Sequence, residues 1–355
     1  MKILAAVDGS AHSEAALDAL GSFKWAEGTE IVLFTVLKQA ENAMPFGRKP
    51  VDQTPSAEVA ASASQSLEKM AAQLQSKLRG CRVTFETAQG DPKSEILNGA
   101  KENAADMILM GSRGHRGMEL MLLGSVSQAV LMQGQCPVVI VKSEATEAPN
   151  AAPSLASGFK NVLITLDNSP YSKAALAWAK TLNWPADTRF KLITVVNALT
   201  DSFTSAESAV RAGSLSREHD SLHAMARAEL EEMAADFVDY VGPGRVTTQV
   251  GEGDPREVIL HIAGAWGADL IVMGSHGRTG LTKLFLGSVS HAVAVHGYCS
   301  VAIVKGIVPK GQGVRQQTTG MFKLPDMKEI ESRLPPIPNS SNRPDTPHVP
   351  PGGMG

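Results

Sequence analysis

The feature that most constrains this chain is a glycine-spaced segment that occurs twice. The first copy is Gly111-Ser112-Arg113-Gly114, nine further residues, then Gly124-Ser125-Val126-Ser127; the second is Gly274-Ser275-His276-Gly277, nine residues, then Gly287-Ser288-Val289-Ser290. Both therefore read Gly-x2-Gly-x9-Gly-Ser. Each copy follows an apolar run ending in Met-Gly and leads into a helical pattern, so the glycines are expected in the turn between a buried strand and a helix start. Such a turn can cradle phosphate with backbone amides, because glycine lets the main chain approach closely and tolerates positive φ. Ser125 and Ser288 are expected as helix N-caps, where free N–H groups and the helix dipole favour an anion.

Other landmarks recur in register with the glycines. Asp8 matches Asp167 and Val36 matches Val195 at a spacing of 159 residues, whereas Gly90-Asp91-Pro92 matches Gly253-Asp254-Pro255, and Cys136 matches Cys299, at 163. The second copy thus gains a few residues between its second and third strands. A repeat of domain size means tandem domains rather than a solenoid, and a length of 355 residues agrees with two. The expected divisions are a first domain at 1–143, a linker at 144–158, a second domain at 159–306 and a tail at 307–355. The linker is rich in Ala, Ser, Glu and Pro and lacks apolar periodicity. The tail holds nine of the chain's 20 prolines, so most of it is expected to be disordered, with 326–334 able to form a short helix on contact with a partner.

Within each copy, β-rich runs alternate with helical stretches, the pattern of parallel βαβ units. Strands are expected at 2–7, 30–36, 82–88, 106–110 and 137–142, and again at 161–166, 190–196, 245–250, 269–273 and 300–305. Runs such as Val138-Val139-Ile140-Val141 are apolar on both faces, as suits strands with helices on either side. Asp91-Pro92 and Asp254-Pro255 read as N-cap and first helical residue, since proline there gives up only an N–H that has no helical partner.

Composition narrows the function. A net charge of −3 and the lack of a long basic run omit the electrostatic footprint of a dedicated nucleic-acid binder. The opening Met-Lys-Ile-Leu-Ala-Ala-Val-Asp reads as a first strand rather than a signal peptide, and no apolar stretch is long enough for a membrane span. Three cysteines without Cys-x-x-Cys spacing argue against a disulfide framework or a cysteine-based zinc site and fit a reducing cytoplasm. Cys136 and Cys299 are expected as small buried hydrophobes at the start of each last strand. No metal-ligand set is assigned.

Taken together, the doubled Gly-x2-Gly-x9-Gly-Ser, the strand-one aspartates and the Gly-Asp-Pro turns resemble a tandem universal stress protein of the ATP-binding-motif branch. The resemblance covers about residues 1–143 and 160–306. It implies an α/β fold of two doubly wound domains, each a five-stranded parallel sheet of order 3-2-1-4-5 between helices. It also implies ATP or AMP as ligand, with magnesium accompanying the phosphates. Asp8 and Asp167 would hold the adenine or its surroundings, and Val36 and Val195 would offer backbone groups and an apolar contact to the base. Gly111, Gly114, Gly124 and Ser125 would hold ribose and phosphates in the first domain; Gly274, Gly277, Gly287 and Ser288 would do so in the second. These positions also make physical sense independently, because strand order reverses between strands one and four and ligands bind in the crevice beyond that switch point. A turn or N-cap role is the plainer reading of the two aspartates; their place at the crevice in both copies favours the ligand.

Arg113 and His115 in the first loop, and His276 and Arg278 in the second, either add charge near the phosphates or are ordinary solvated loop residues. His12 reads as a residue of the first helical turn. The resemblance further implies an intramolecular pseudo-dimer joined through the two last strands, with room for a homodimer of whole chains. Three functions compete: a nucleotide-responsive switch in stress response with a protein partner of unidentified kind, an enzyme on a related nucleotide-binding fold, and a nucleotide-free interaction protein. The His-x-Gly-His and Ser-Gly-Gly-x-Asp-Ser strings of the related enzymes are missing, as is a Walker A lysine, so at most slow ATP hydrolysis is expected. Intact glycine motifs in both halves count against the nucleotide-free reading.

Overall fold

A computed structural model describes residues 1–21, 23–37, 57–114, 123–142, 158–196, 208–277 and 286–306, with 57, 59 and 208–218 as backbone only. The expectations for the linker at 144–157, for the tail at 307–355, and for His115 and Arg278 lie outside these residues. The first half runs β1 (Lys2–Ala6), α1 (Ala11–Gly21), β2 (Glu30–Leu37), α2 (Ala57–Lys77), β3 (Arg82–Gln89), α3 (Pro92–Glu102), β4 (Met107–Gly111), α4 (Ser125–Gln133), β5 (Val138–Val141). The second repeats it as β6 (Asn161–Thr165), α5 (Pro170–Ala179), β7 (Arg189–Val196), α6 (Ser208–Val241), β8 (Val246–Glu252), α7 (Pro255–Trp266), β9 (Leu270–Gly274), α8 (Ser288–His296), β10 (Ser300–Val304). Among the described residues no helix is long and apolar enough to cross a membrane.

Local chemistry explains the starts of the helices that follow the edge strands. Asp91 caps α3 by accepting from Ser94 N, and Asp254 caps α7 by accepting from Arg256 N, each with proline at the first helical position. The preceding glycines Gly90 and Gly253 hold φ of 143° and 128°, values that strain any residue with a side chain.

Each half has the strand order 3-2-1-4-5, and the two halves share one ten-stranded sheet, β3-β2-β1-β4-β5-β10-β9-β6-β7-β8. Pairing is parallel throughout except at the centre, where β5 and β10 run antiparallel with Val138, Val139 and Ile140 opposite Ile303, Ala302 and Val301. Strands that would have been hydrophobic edges thereby become the middle of the sheet. Successive residues of each strand feed opposite faces. Ile3, Ala5, Ile31, Leu33 and Val139 join the core beneath α1, α2, α5 and α6, whereas Leu4, Ala6, Ile108 and Ile140 join the core beneath α3, α4, α7 and α8. Both cores run through the two halves. Phe23 of the first half touches Phe159 and Trp184 of the second, at centroid distances of 5.5 and 5.4 Å. Burying a side chain of this size contributes about 1.5–3 kcal/mol.

A pair of lysines fastens the join. Lys142 Nζ, just past β5, donates to Ala294 O at 2.9 Å and to Gly297 O at the end of α8; Lys305 Nζ, just past β10, donates to Leu131 O at 2.9 Å and Met132 O at 3.2 Å in α4. Each half thus supplies an ammonium to the negative end of the other half's last helix. Burial pulls both lysines down to about 8, so at neutral pH they remain charged donors.

The cysteines depart slightly from expectation. Cys299 is buried before β10, but Cys136 before β5 is only partly so. Burial still pushes the two thiols up, to about 12 and about 11, which makes them inert side chains rather than nucleophiles.

Candidate functional site

In the second half a cavity of about 350 Å³ opens at the carboxyl ends of β6, β7 and β9, within the size range of small-molecule sites. It lies where the strand order reverses. Asp167, Val195, Gly274, Gly277, Gly287 and Ser288 all line it, together with His276. Leu166, Ile193, Ile259, Met273 and Leu286 make the remaining wall mostly apolar. One end therefore suits a flat apolar group and the other, at the start of α8, suits an anion.

The glycines do their work by making room, not by adopting positive φ. None of Gly111, Gly114, Gly124, Gly274, Gly277 and Gly287 has φ in the left-handed region, which corrects that part of the expectation. Gly111 and Gly274 are the last residues of β4 and β9 rather than turn residues. A Cβ on Gly111 would lie 2.6 Å from the carbonyl of His12, and one on Gly274 would lie 2.7 Å from the carbonyl carbon of Tyr171, so both let a strand press against the first turn of α1 or α5. Gly114 and Gly277 face the strand-one aspartates. A Cβ on Gly277 would sit 2.9 Å from Asp167 Oδ2, and one on Gly114 would collide with Asp8 Oδ2 more severely.

The N-caps also move by one residue. Gly124 and Gly287 are the caps of α4 and α8, with φ, ψ of −72°, 153° and −62°, 151° and no side-chain cap bond; Ser125 and Ser288 are the first helical residues. The opening amides of both helices thus lack the side-chain oxygen that a serine cap would supply. The loop that carries them is closed by Gly124 N donating to Ser112 O and Gly287 N to Ser275 O, both at 2.8 Å. Ser127 Oγ donates to Gly111 O and Ser290 Oγ to Ser275 O, each at 2.9 Å, pinning the helix to the loop from a buried position. These two serines close the doubled segment, each two residues after the motif serine, but nothing in the sequence signals their role.

The two carboxylate oxygens of Asp8, and those of Asp167, face different ways. Asp8 Oδ1 accepts from Ser10 N at 3.1 Å and Ser10 Oγ at 2.6 Å, and Asp167 Oδ1 accepts from Ser169 N at 3.1 Å. That is the turn role, while Oδ2 faces the glycine loop. The cap of α5 itself is Ser169, which accepts from Ser172 N at 3.1 Å. Val36 and Val195 lie near the ends of β2 and β7, opposite Ala88 and Gly251 on the neighbouring strands.

Charge differs between the two loops. The first carries Arg113 where the second has His276, and the order reverses two residues on, in His115 and Arg278. His276 packs against Tyr171 with the rings tilted at a centroid distance of 4.9 Å and its Nδ1 meets Ser275 Oγ at 3.1 Å; its buried Nε2 has no hydrogen-bond partner among the described residues. His12, the second residue of α1, lies beside the end of β4, where Gly111 packs against its backbone. Burial first, then the Arg113 charge, lowers its pKa, and Asp8 opposes them.

The fold and the paired switch-point loops define a tandem, doubly wound α/β protein. The model of the universal stress protein family matches residues 1–142 and 158–305, and the chain belongs to that family. It is 34% identical to the universal stress protein YxiE of Bacillus subtilis over 145 residues, which are 40% of this chain and 98% of that protein. It is 32% identical to the universal stress protein Rv2005c of Mycobacterium tuberculosis over 191 residues, 54% of this chain; the match spans 59% of that relative's length. The crystal structure of a universal stress protein from Archaeoglobus fulgidus shares the fold, with a TM-score of 0.53 at 23% identity over 86% of this chain and 96% of that one.

Proposed function

We propose that each half binds one adenine nucleotide, ATP or AMP, and that the chain works as a regulatory switch in stress response. The observation that carries this reading is the second-half cavity, where Asp167, the apolar wall with Val195, and the amides opening α8 face one space of about 350 Å³. The residues fit the group in two further ways. The space beside Gly277 would be filled by a Cβ, and the buried Nε2 of His276 is left for a ligand oxygen or nitrogen to satisfy. The base would lie along Val195 and Ile193, the ribose near Asp167, and the phosphates at the glycine loop and helix start. Backbone amides of Gly114 and Ser125 would play the same part in the first half, with Arg113 in place of His276.

Any hydrolysis in this arrangement is slow. Fast phosphoryl transfer needs a held metal and a residue that orients the nucleophile, and the two glycine motifs share no carboxylate, Glu119 of the first being replaced by Thr282 in the second. Magnesium would reach the site with the phosphates rather than through dedicated ligands. The switch reading assigns the response to a protein partner, and the cytoplasm is the compartment that suits three free cysteines. The test is mass spectrometry of small molecules released by denaturing protein purified without added nucleotide. ATP or AMP in the supernatant supports the reading, and a nucleotide-free protein that also fails to take up added ATP overturns it.

A further inference from the structure

Away from the second-half cavity, two histidines and a glutamate converge at the outer edge of the same half. His219 and His223 stand four residues apart on α6, so they share one face of the helix. Glu252 closes β8 opposite them. His219 Nε2 lies 2.9 Å from Glu252 Oε1, His223 Nε2 lies 3.6 Å from Glu252 Oε2, and one ligand atom from each residue falls within 4.8 Å of the others. The two imidazole rings are 4.5 Å apart.

We propose that His219, His223 and Glu252 form a binding site for a divalent transition cation of the zinc class. Ordinary ion pairing accounts poorly for the group. If both imidazoles were protonated, two like charges 4.5 Å apart would compete for one carboxylate. If both were neutral, the buried Nε2 of His223 would keep no hydrogen-bond partner, which is how that atom stands among the described residues. A cation between them satisfies both Nε2 lone pairs and the carboxylate together. Two imidazoles and one carboxylate are a three-ligand set typical of zinc, with water completing the tetrahedron. The side chains are 30%, 28% and 45% exposed, so the fourth position is open to solvent.

The trio belongs to this half alone. In the repeat alignment that matches Gly253 to Gly90 and Leu230 to Leu67, Glu252 corresponds to Gln89 and His223 to Ala60, so the shared fold does not require these ligands. Bound metal would clasp α6 to the end of β8, one residue beyond Gly251, the register partner of Val195 in the base wall. The inference does not rest on nucleotide binding.

The experiment is calorimetry of Zn²⁺ alone into nucleotide-free full-length protein, paired with visible absorption of the Co²⁺-loaded form. One cation per chain, with the strong visible bands of four-coordinate Co²⁺, is expected. His223→Ala and Glu252→Gln should each weaken binding at least tenfold, since even indirect supports of a metal ligand are worth about 10–100-fold. His261→Ala, on α7 and exposed, should leave binding unchanged and serves as the control. Lack of saturable binding, or binding indifferent to both substitutions in variants with wild-type circular dichroism, would overturn the site.

Discussion

Val139 and Ala302 occupy equivalent positions in the two halves, and they lie directly opposite each other in the antiparallel pair that joins the sheets. An axis between them relates Val138 facing Ile303 to Ile140 facing Val301. The same symmetry sets Gln128 of α4 against its counterpart His291 of α8, 3.1 Å apart, and exchanges the lysines Lys142 and Lys305 between helix ends. The duplicated halves therefore meet as the subunits of a twofold dimer would, within one chain.

Lys142→Glu should lower stability by at least about 2 kcal/mol. It removes charge-assisted hydrogen bonds worth about 1.5–3 kcal/mol and sets a carboxylate against helix carbonyls. Lys305→Glu should act alike, because the two contacts are reciprocal. Urea denaturation reads both, and an unchanged midpoint in either variant would contradict the role given to the pair.

Asp269 predicts a pH dependence. Its buried Oδ2 accepts from Lys160 N at 2.7 Å and Asn161 N at 3.0 Å, and burial outweighs these bonds to raise its pKa to about 6. The folded state therefore holds the proton more tightly than the unfolded state does. The stabilisation from this group is full below about pH 4 and is lost as pH rises toward 6, at no more than about 1.4 kcal/mol per pH unit. Wild type should thus lose stability relative to Asp269→Asn between pH 4 and 6. Parallel stability curves for the two proteins would contradict the shift.

Gly114→Val and Gly277→Val should each abolish nucleotide binding in their own half, through collision of the side chain with Asp8 or Asp167. Alanine separates the two sites: Gly114→Ala should do more harm than Gly277→Ala, because the first contact is the tighter. Calorimetric stoichiometry falling from two toward one is the readout, and full binding in both valine variants would remove the loops from the site.

Much of this was legible in the sequence because it follows from local rules. The strand order came from the family resemblance, and the strand positions from β-rich runs, which fall within two residues of those observed. Asp91-Pro92 and Asp254-Pro255 cap their helices as read, since capping needs only neighbours in sequence. The glycine motif was visible, but its physics was not. Whether Gly111 needs φ freedom or space depends on the carbonyl of His12, nearly a hundred residues away, and only the packed sheet brings them together. For the same reason Lys142 and Lys305 carried no signal as the ends of two strands. His219 and His223 were readable as a helical pair, but their partner Glu252 comes from β8 and is placed only by the βαβ crossover.

Steady-state phosphate release with magnesium should stay well below about one turnover per second, the lower end of ordinary enzyme rates. Comparison with an Asp8→Ala/Asp167→Ala double mutant separates background from site chemistry. Faster release that disappears in the double mutant would make this protein an enzyme.

The central claim is that two adenine nucleotides bind at the paired switch-point sites, and titration calorimetry of ATP and GTP into the full-length protein tests it most directly. The account predicts saturation at two ATP per chain with clearly weaker GTP binding, because the backbone groups that Val36 and Val195 would offer the edge of the base select adenine while the glycine loop reads only phosphate. Equal affinity for the two nucleotides would contradict the adenine assignment, and the lack of any saturable ATP binding would contradict the account as a whole.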